Sequence, residues 1–257
     1  MVDEQSTFTS HLEELRKRLM IAGGSWLVAF ASCWGFSEKL FLWISEPVRA
    51  ALPEGTNLVF LSATEPFFTY LKLSAVAALL IALPVILWQI WAFVAELVKP
   101  EMKSFAFGFV VAGSLCFALG SWFGFTYTFP TIMVVLLGYG IGPGDAAAML
   151  SMGSYLSLAT TMLLAFGMVF ELPLVLILLA RFGLVDAPLL GKNRRYMLIV
   201  AFVFGALITP GPDVISQCSI AIPFVILYEV GIIGAKIFGR KREIAKEADA
   251  ETPPVSG

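Results

Sequence analysis

The sequence predicts an all-α integral membrane protein, and three observations predict it. Only 14% of the 257 residues are charged, against 58% hydrophobic, where a soluble domain carries about 25% charged residues. Long apolar runs separate the charges into clusters. Fourteen of the seventeen Lys and Arg residues fall in four of these: Arg16, Lys17 and Arg18; Lys99 and Lys103; Arg181, Lys192, Arg194 and Arg195; and Lys236, Arg240, Lys241, Arg242 and Lys246. Every second gap is basic, and the gaps between hold only Lys39 and Arg49. The positive-inside rule then puts both termini in the cytoplasm and requires an even number of crossings. Six runs are counted. They use nearly the whole length, so one transmembrane domain over 1–240 is expected, with a disordered cytoplasmic tail over 241–257.

Residues 1–18 are polar, and a disordered tip is expected at their start. Ser10 and Glu13 form a capping-box pattern, and Leu12, Leu15 and Leu19 recur at helical spacing. A short amphipathic helix should therefore run into span one, about 19–36. Arg16-Lys17-Arg18 and Ala29-Phe30-Ala31 imitate a cleavable signal peptide, but the acidic segment upstream and five further runs favour a retained helix. Residues 37–65 form the first outer loop, long enough for short capping helices. Span two, about 66–95, opens at Pro66, a favourable first-turn position, and Pro84 should kink it. Span three, about 104–130, ends at Phe129-Pro130. Its aromatic end (Trp122, Phe123, Phe125, Tyr127 and Phe129) suits the outer interface. The glycine-rich stretch 131–153 is the second outer loop, and span four covers about 154–180.

Thr209-Pro210-Gly211-Pro212-Asp213 is a turn between spans five (about 195–210) and six (about 214–236). From Tyr196 to Ile208 the apolar run would be roughly 20 Å long, short of a ~30 Å hydrocarbon core. A re-entrant hairpin is one reading. A short true pair that thins the bilayer is favoured, because the basic residues on both sides want the same face. No internal repeat is visible, so an inverted-repeat transporter loses support.

Glu171 is the main chemical anomaly. It lies ten residues before Arg181, about 15 Å along a helix, and so at mid-membrane. A carboxylate there costs at least ~2.5–3.5 kcal/mol, so it must face the interior, be protonated or pair. Pro173 frees the carbonyl of Val169 as an acceptor for a protonated Glu171. Two readings stand: a polar anchor or path in a concave cavity, or a neutral acid that fastens two helices. Glu14 and Glu101 lie at the cytoplasmic boundary. Glu14 can pair with Arg18, and Glu13 with Lys17, at i, i+4 spacing. Jointly, the two boundary carboxylates could each grip one guanidinium in a bidentate manner. Lys72 is expected to snorkel outward.

Catalytic constellations are missing from the sequence. His11 is the only histidine, and no Gly-rich phosphate loop ends in Lys-Ser or Lys-Thr. No catalytic residue, metal, cofactor or nucleic-acid partner is expected. Cys33, Cys116 and Cys218 are scattered and read as buried inert thiols. A secondary transporter using Glu171 as coupling carboxylate is the alternative reading.

A series of short strings in order resembles the TatC family, the multi-spanning receptor of the twin-arginine protein translocase. They are His11-Leu12-Glu13-Glu14-Leu15-Arg16-Lys17-Arg18-Leu19, Glu46-Pro47, Glu65-Pro66-Phe67-Phe68, Pro84-Val85-Ile86-Leu87-Trp88-Gln89-Ile90-Trp91-Ala92-Phe93, Tyr127-Thr128-Phe129-Pro130, Phe170-Glu171-Leu172-Pro173, the stretch from Leu207 to Gln217, and Tyr228-Glu229. The resemblance implies a cupped-hand bundle of six helices, N-in and C-in in the bacterial inner membrane, with short fifth and sixth helices. It implies a receptor, not an enzyme, for twin-arginine signal peptides of folded cargo, driven by the proton-motive force. Implied partners are single-span TatA and TatB type subunits, membrane lipids and further copies of the receptor. By match to the family motif, Glu14 and Glu101 are the twin-arginine contacts, supported by Arg16, Phe93 and Lys99. Glu171 matches the acid of the concave face; Pro47, Tyr127 and Asp213 match outer-face and assembly positions. The chain departs from the family where Ala95-Glu96-Leu97-Val98 replaces Ala-Pro-Gly-Leu-Tyr, one residue shorter, which makes Glu96 the competitor of Glu101.

Overall fold

The structure is a computed structural model, and it describes residues 2–51, 59–96, 106–140, 151–209, 211 and 213–239. Over those residues the chain is helical apart from turns and one isolated bridge, Val59 to Ser151. The expected tail, 241–257, lies outside them. Helix α1 runs from Val2 to Trp34, so the start of the chain is helix where a disordered tip was expected. After a break at Gly35-Phe36, α2 (Ser37–Ala51) leaves at 78° to α1. It is the short helix foreseen in the first outer loop. Helix α3 (Glu65–Glu96) matches span two and continues through Pro84.

Span three differs most from expectation. Helix α4 (Ala106–Phe123) passes through a π-helical turn, Gly124–Thr128, into α5 (Phe129–Gly140), so the helix does not stop at Pro130. A proline ring normally collides with the carbonyl four residues back, here Thr126. The wider i→i+5 winding, with the Phe129 amide donating to the Gly124 carbonyl, shifts that carbonyl and lets the helix continue. The second outer loop is thus helical in its first part.

Helix α6 (Met152–Arg181) matches span four. Ser151 caps its start, accepting from the Ser154 amide at 3.3 Å. It ends in a Schellman motif: Gly183, at φ 74°, donates to Ala180, and Leu184 donates to Leu179. The segment 181–195 between spans four and five, expected to be an inner loop, holds an unforeseen helix, α7 (Ala187–Lys192). Its signal was present: Asp186 caps it by accepting from the Leu189 amide at 3.0 Å, and Pro188 sits in its first turn. Helices α8 (Arg194–Ile208) and α9 (Val214–Phe238) follow. With 15 residues α8 is only about 22 Å long, the shortness read from the sequence, whereas α9, also expected to be short, has 25 residues and is long enough to cross a bilayer.

Four stretches are long and apolar enough to cross a bilayer: Glu65–Val94, Ala106–Leu136, Met152–Arg181 and Val214–Phe238. The bent pair Leu12–Trp34 and Ser37–Glu46 makes a possible fifth. Apolar side chains such as Val28, Ile81, Val134 and Ile237 lie exposed on the outside, as suits lipid rather than water. Helix contacts rely on glycine. A Cβ on Gly167 would stand 2.5 Å from the Phe117 ring, and one on Gly124 2.6 Å from Phe166. These two sites let α4 and its π turn approach α6 closely; Gly231 does the same between α9 and Leu176. The main core lies toward the α2 end, around Tyr155, Phe166, Phe129 and Ile132.

Candidate functional site

At the basic end, α1 carries Glu14 and Arg18 one turn apart. Their side chains form the expected pair, Arg18 Nη2 to Glu14 Oε1 at 2.6 Å, with the glutamate 30% exposed and the arginine 17%. The parallel pair of Glu13 and Lys17 is not formed, and Arg16 is exposed. Phe93 is half-buried near the end of α3. Its neighbour Trp91 is 3% exposed, with its ring 5.0 Å from that of Phe109 and 6.3 Å from that of Phe182. Lys99 and Glu101 lie outside the described residues, and Glu96, the competitor of Glu101, is the last residue of α3.

Glu171 is half-buried on α6, facing α4. A Cβ on Gly113 would stand 3.2 Å from its Oε2, so the glycine makes the room that the carboxyl group occupies. Oε1 is buried without a hydrogen-bond partner. The bond to the Val169 carbonyl allowed by Pro173 is not formed. A carboxyl group that bonds to nothing on α4 fits poorly with a polar fastener of two helices.

The opposite end is held by a residue that sequence reasoning left in a motif without a role. Glu65 accepts from the Leu61 amide at 2.6 Å and the Ser62 amide at 3.3 Å. It also accepts from the Ser151 hydroxyl at 2.5 Å and the Gly153 amide at 2.6 Å. One carboxylate thereby joins the starts of α3 and α6. Ser62-Ala63-Thr64-Glu65 is a capping-box string, which was the available signal.

Pro47 lies on α2. Tyr127 sits in the π turn, 55% exposed, its ring edge-on to Trp122 at 5.7 Å. Of the aromatic group assigned to the interface, Trp122 and Tyr127 are exposed, whereas Phe129 is buried against Tyr155. Asp213 caps α9, accepting from the Ser216 amide at 2.7 Å. The neighbouring Ser216, whose amide donates to it, holds its carboxyl group below the ordinary aspartate range.

Two further charges find partners across helices. Lys72, expected to snorkel outward, is exposed and donates to the Ser157 hydroxyl on α6 at 2.7 Å. Glu229, inside the stretch assigned to span six, pairs with Arg194 at the start of α8 at 2.7 Å. Cys33 is buried as expected, but Cys116 and Cys218 are only half-buried. No three of His, Cys, Asp and Glu gather into a metal-binding set among the described residues.

Residues 10–223 match the family model described as TatC, Sec-independent protein translocase protein. A protein of that description from Desulforapulum autotrophicum is 43% identical over 253 residues, covering 98% of this chain and 93% of the relative. One from Carboxydothermus hydrogenoformans is 38% identical, covering 96% and 99%. The fold is similar to the crystal structure of the twin arginine translocase receptor TatC, with a TM-score of 0.79 at 35% identity over 90% of this chain and all of that one. A second crystal structure of that receptor, in DDM, gives 0.80 at 36% identity. This chain is a multi-span membrane protein of the TatC family, part of the Sec-independent Tat translocase.

Proposed function

We propose that this chain is the core receptor of its translocase. It binds twin-arginine signal peptides at the basic end and organises single-span TatA and TatB type subunits for export driven by the proton-motive force. Domain 1–240 is a single cupped bundle in the bacterial inner membrane. Six crossings are formed by α1, α3, the α4–α5 helix, α6, α8 and α9, with both termini cytoplasmic. Glu14 and Glu101 take the two guanidinium groups, with Arg16, Phe93 and Lys99 around them. The apolar part of the signal peptide lies along the concave face past Glu171. Pro47, Tyr127 and Asp213 act at the outer face in assembly and self-association.

One observation carries the clamp. The Glu14 carboxylate is partly open and already holds a guanidinium, that of Arg18, through Oε1. A peptide arginine offers the same planar fork and can replace or join it; lysine cannot reproduce it. The test is binding of a twin-arginine peptide to the full-length protein carrying Glu14→Ala, Glu101→Ala or both. Each change should weaken binding. Peptides with Lys in place of Arg should lose about 1.5–3 kcal/mol, the worth of a charge-assisted hydrogen bond. Unchanged affinity in the double variant would rule out the clamp.

A further inference from the structure

A cavity of about 650 Å³ opens where α7, the start of α8 and the last turns of α9 meet. The unequal lengths of α8 and α9 explain its existence, and the Arg194–Glu229 contact marks where the shorter helix stops. It ties the first residue of α8 to a point nine residues before the end of α9. The last turns of α9 therefore overhang α8 by about 14 Å. Helix α7 floors the corner thus formed, fixed to α9 by the buried hydrogen bond from the Tyr228 hydroxyl to the Leu190 carbonyl at 2.8 Å. Ile232, Ile233, Val185 and Pro188 give the cavity an apolar wall.

Among the described residues its charged lining is Arg194, Lys236 and Asp186. Arg194 gives one terminal nitrogen to Glu229 and keeps other donors of its fork. Lys236 is exposed in the last turn of α9. Asp186 spends one oxygen on the α7 cap. A ligand that fits presents an acyl chain to the wall and a phosphodiester to the two cations. We infer that this corner is a binding site for an anionic glycerophospholipid from the leaflet at the basic end, its phosphate between Arg194 and Lys236. A basic recess between helix ends at the level of the headgroups is the kind of place where such lipids are retained. A phosphate held between two cations leaves little place for a headgroup that brings its own ammonium, which favours an anionic over a zwitterionic lipid.

The test is native mass spectrometry of the full-length protein in mild detergent, titrated separately with phosphatidylglycerol, phosphatidylethanolamine and phosphatidylcholine. Phosphatidylglycerol should be retained at least fivefold more strongly than either of the others. Lys236→Gln should abolish that preference, and Ile233→Trp, which fills the cavity while leaving the charges, should remove bound lipid altogether. Lys192→Gln, on α7 but outside the lining, should leave the preference intact. Equal retention of the three lipids would overturn the inference. So would a loss in Lys192→Gln as large as in Lys236→Gln, which would mean a diffuse surface field. A thermal melt of each variant separates lost binding from lost fold.

Discussion

Arg194 and Glu229 meet at 2.7 Å across the α8–α9 pair, with side chains 57% and 39% exposed. The contact marks how far the short helix reaches along its longer neighbour. At that exposure it is not a large source of stability, since open ion pairs contribute about 0–1 kcal/mol. A double-mutant cycle with Arg194→Ala and Glu229→Ala should give a coupling energy of no more than ~1 kcal/mol in reversible unfolding. A coupling of several kcal/mol would contradict the exposure argument.

Packing between α4 and α6 makes a sharper stability prediction. A Cβ on Gly120 would overlap the backbone carbonyl oxygen of Phe166, which cannot swing aside as a side-chain tip can. Gly108, on the same helix, has nothing within 4 Å of its Cβ position. Gly120→Ala should therefore destabilise by about 1–3 kcal/mol, the usual cost of overpacking. Gly108→Ala should be neutral or slightly stabilising, since alanine is the better helix former. Unfolding in a denaturing detergent series compares the two, and equal effects would refute the close approach.

The positions of the apolar helices were legible because length and hydropathy decide where a chain can sit in lipid. Pro66, Ser151 and Asp213 mark helix starts as such residues should. What misled was local chemistry read without its neighbours. Pro130 looked like a terminator because the π turn before it leaves no mark in a hydrophobic pattern. Asp186-Ala187-Pro188 announced α7 but was absorbed into a basic loop. Glu65 was legible only as part of a string, since its partners Ser151 and Gly153 lie far along the chain. The same limit governs Glu171: depth followed from counting residues to Arg181, whereas its seat against Gly113 needed the packed helices.

Asp213 gives a dependence on pH. Its carboxyl group is held below the ordinary aspartate range by Ser216, and in the unfolded chain that hold is gone. A folded value below the unfolded one means that the unfolded state binds the proton more readily. The cap's contribution is then complete above the unfolded aspartate value and is lost as pH falls through the folded one. Asp213→Ala should cost about 1 kcal/mol at neutral pH, the usual worth of an N-cap, and Asn should recover most of it. The Asn variant should also lose the acid-side decline in melting temperature that this group adds. An identical acid profile in wild type and Asp213→Asn would show that the cap does not titrate as argued.

Glu171 separates a structural role from a working one. Its Oε1 is buried without a partner and its Oε2 lies against Gly113, so the fold gains no hydrogen bond from it. An unsatisfied buried polar group costs about 1–3 kcal/mol, and an apolar side chain of similar size removes that cost. Glu171→Leu should therefore be at least as stable as the wild type in a detergent unfolding series. Glu171→Ala should be less stable than Glu171→Leu, because it leaves a void beside Leu87 and Leu174. If the carboxyl group serves passage of the signal peptide, both variants lose transport, and transport tracks the lost carboxyl rather than stability. A Glu171→Leu protein that unfolds more easily yet still exports cargo would assign the residue to helix fastening instead.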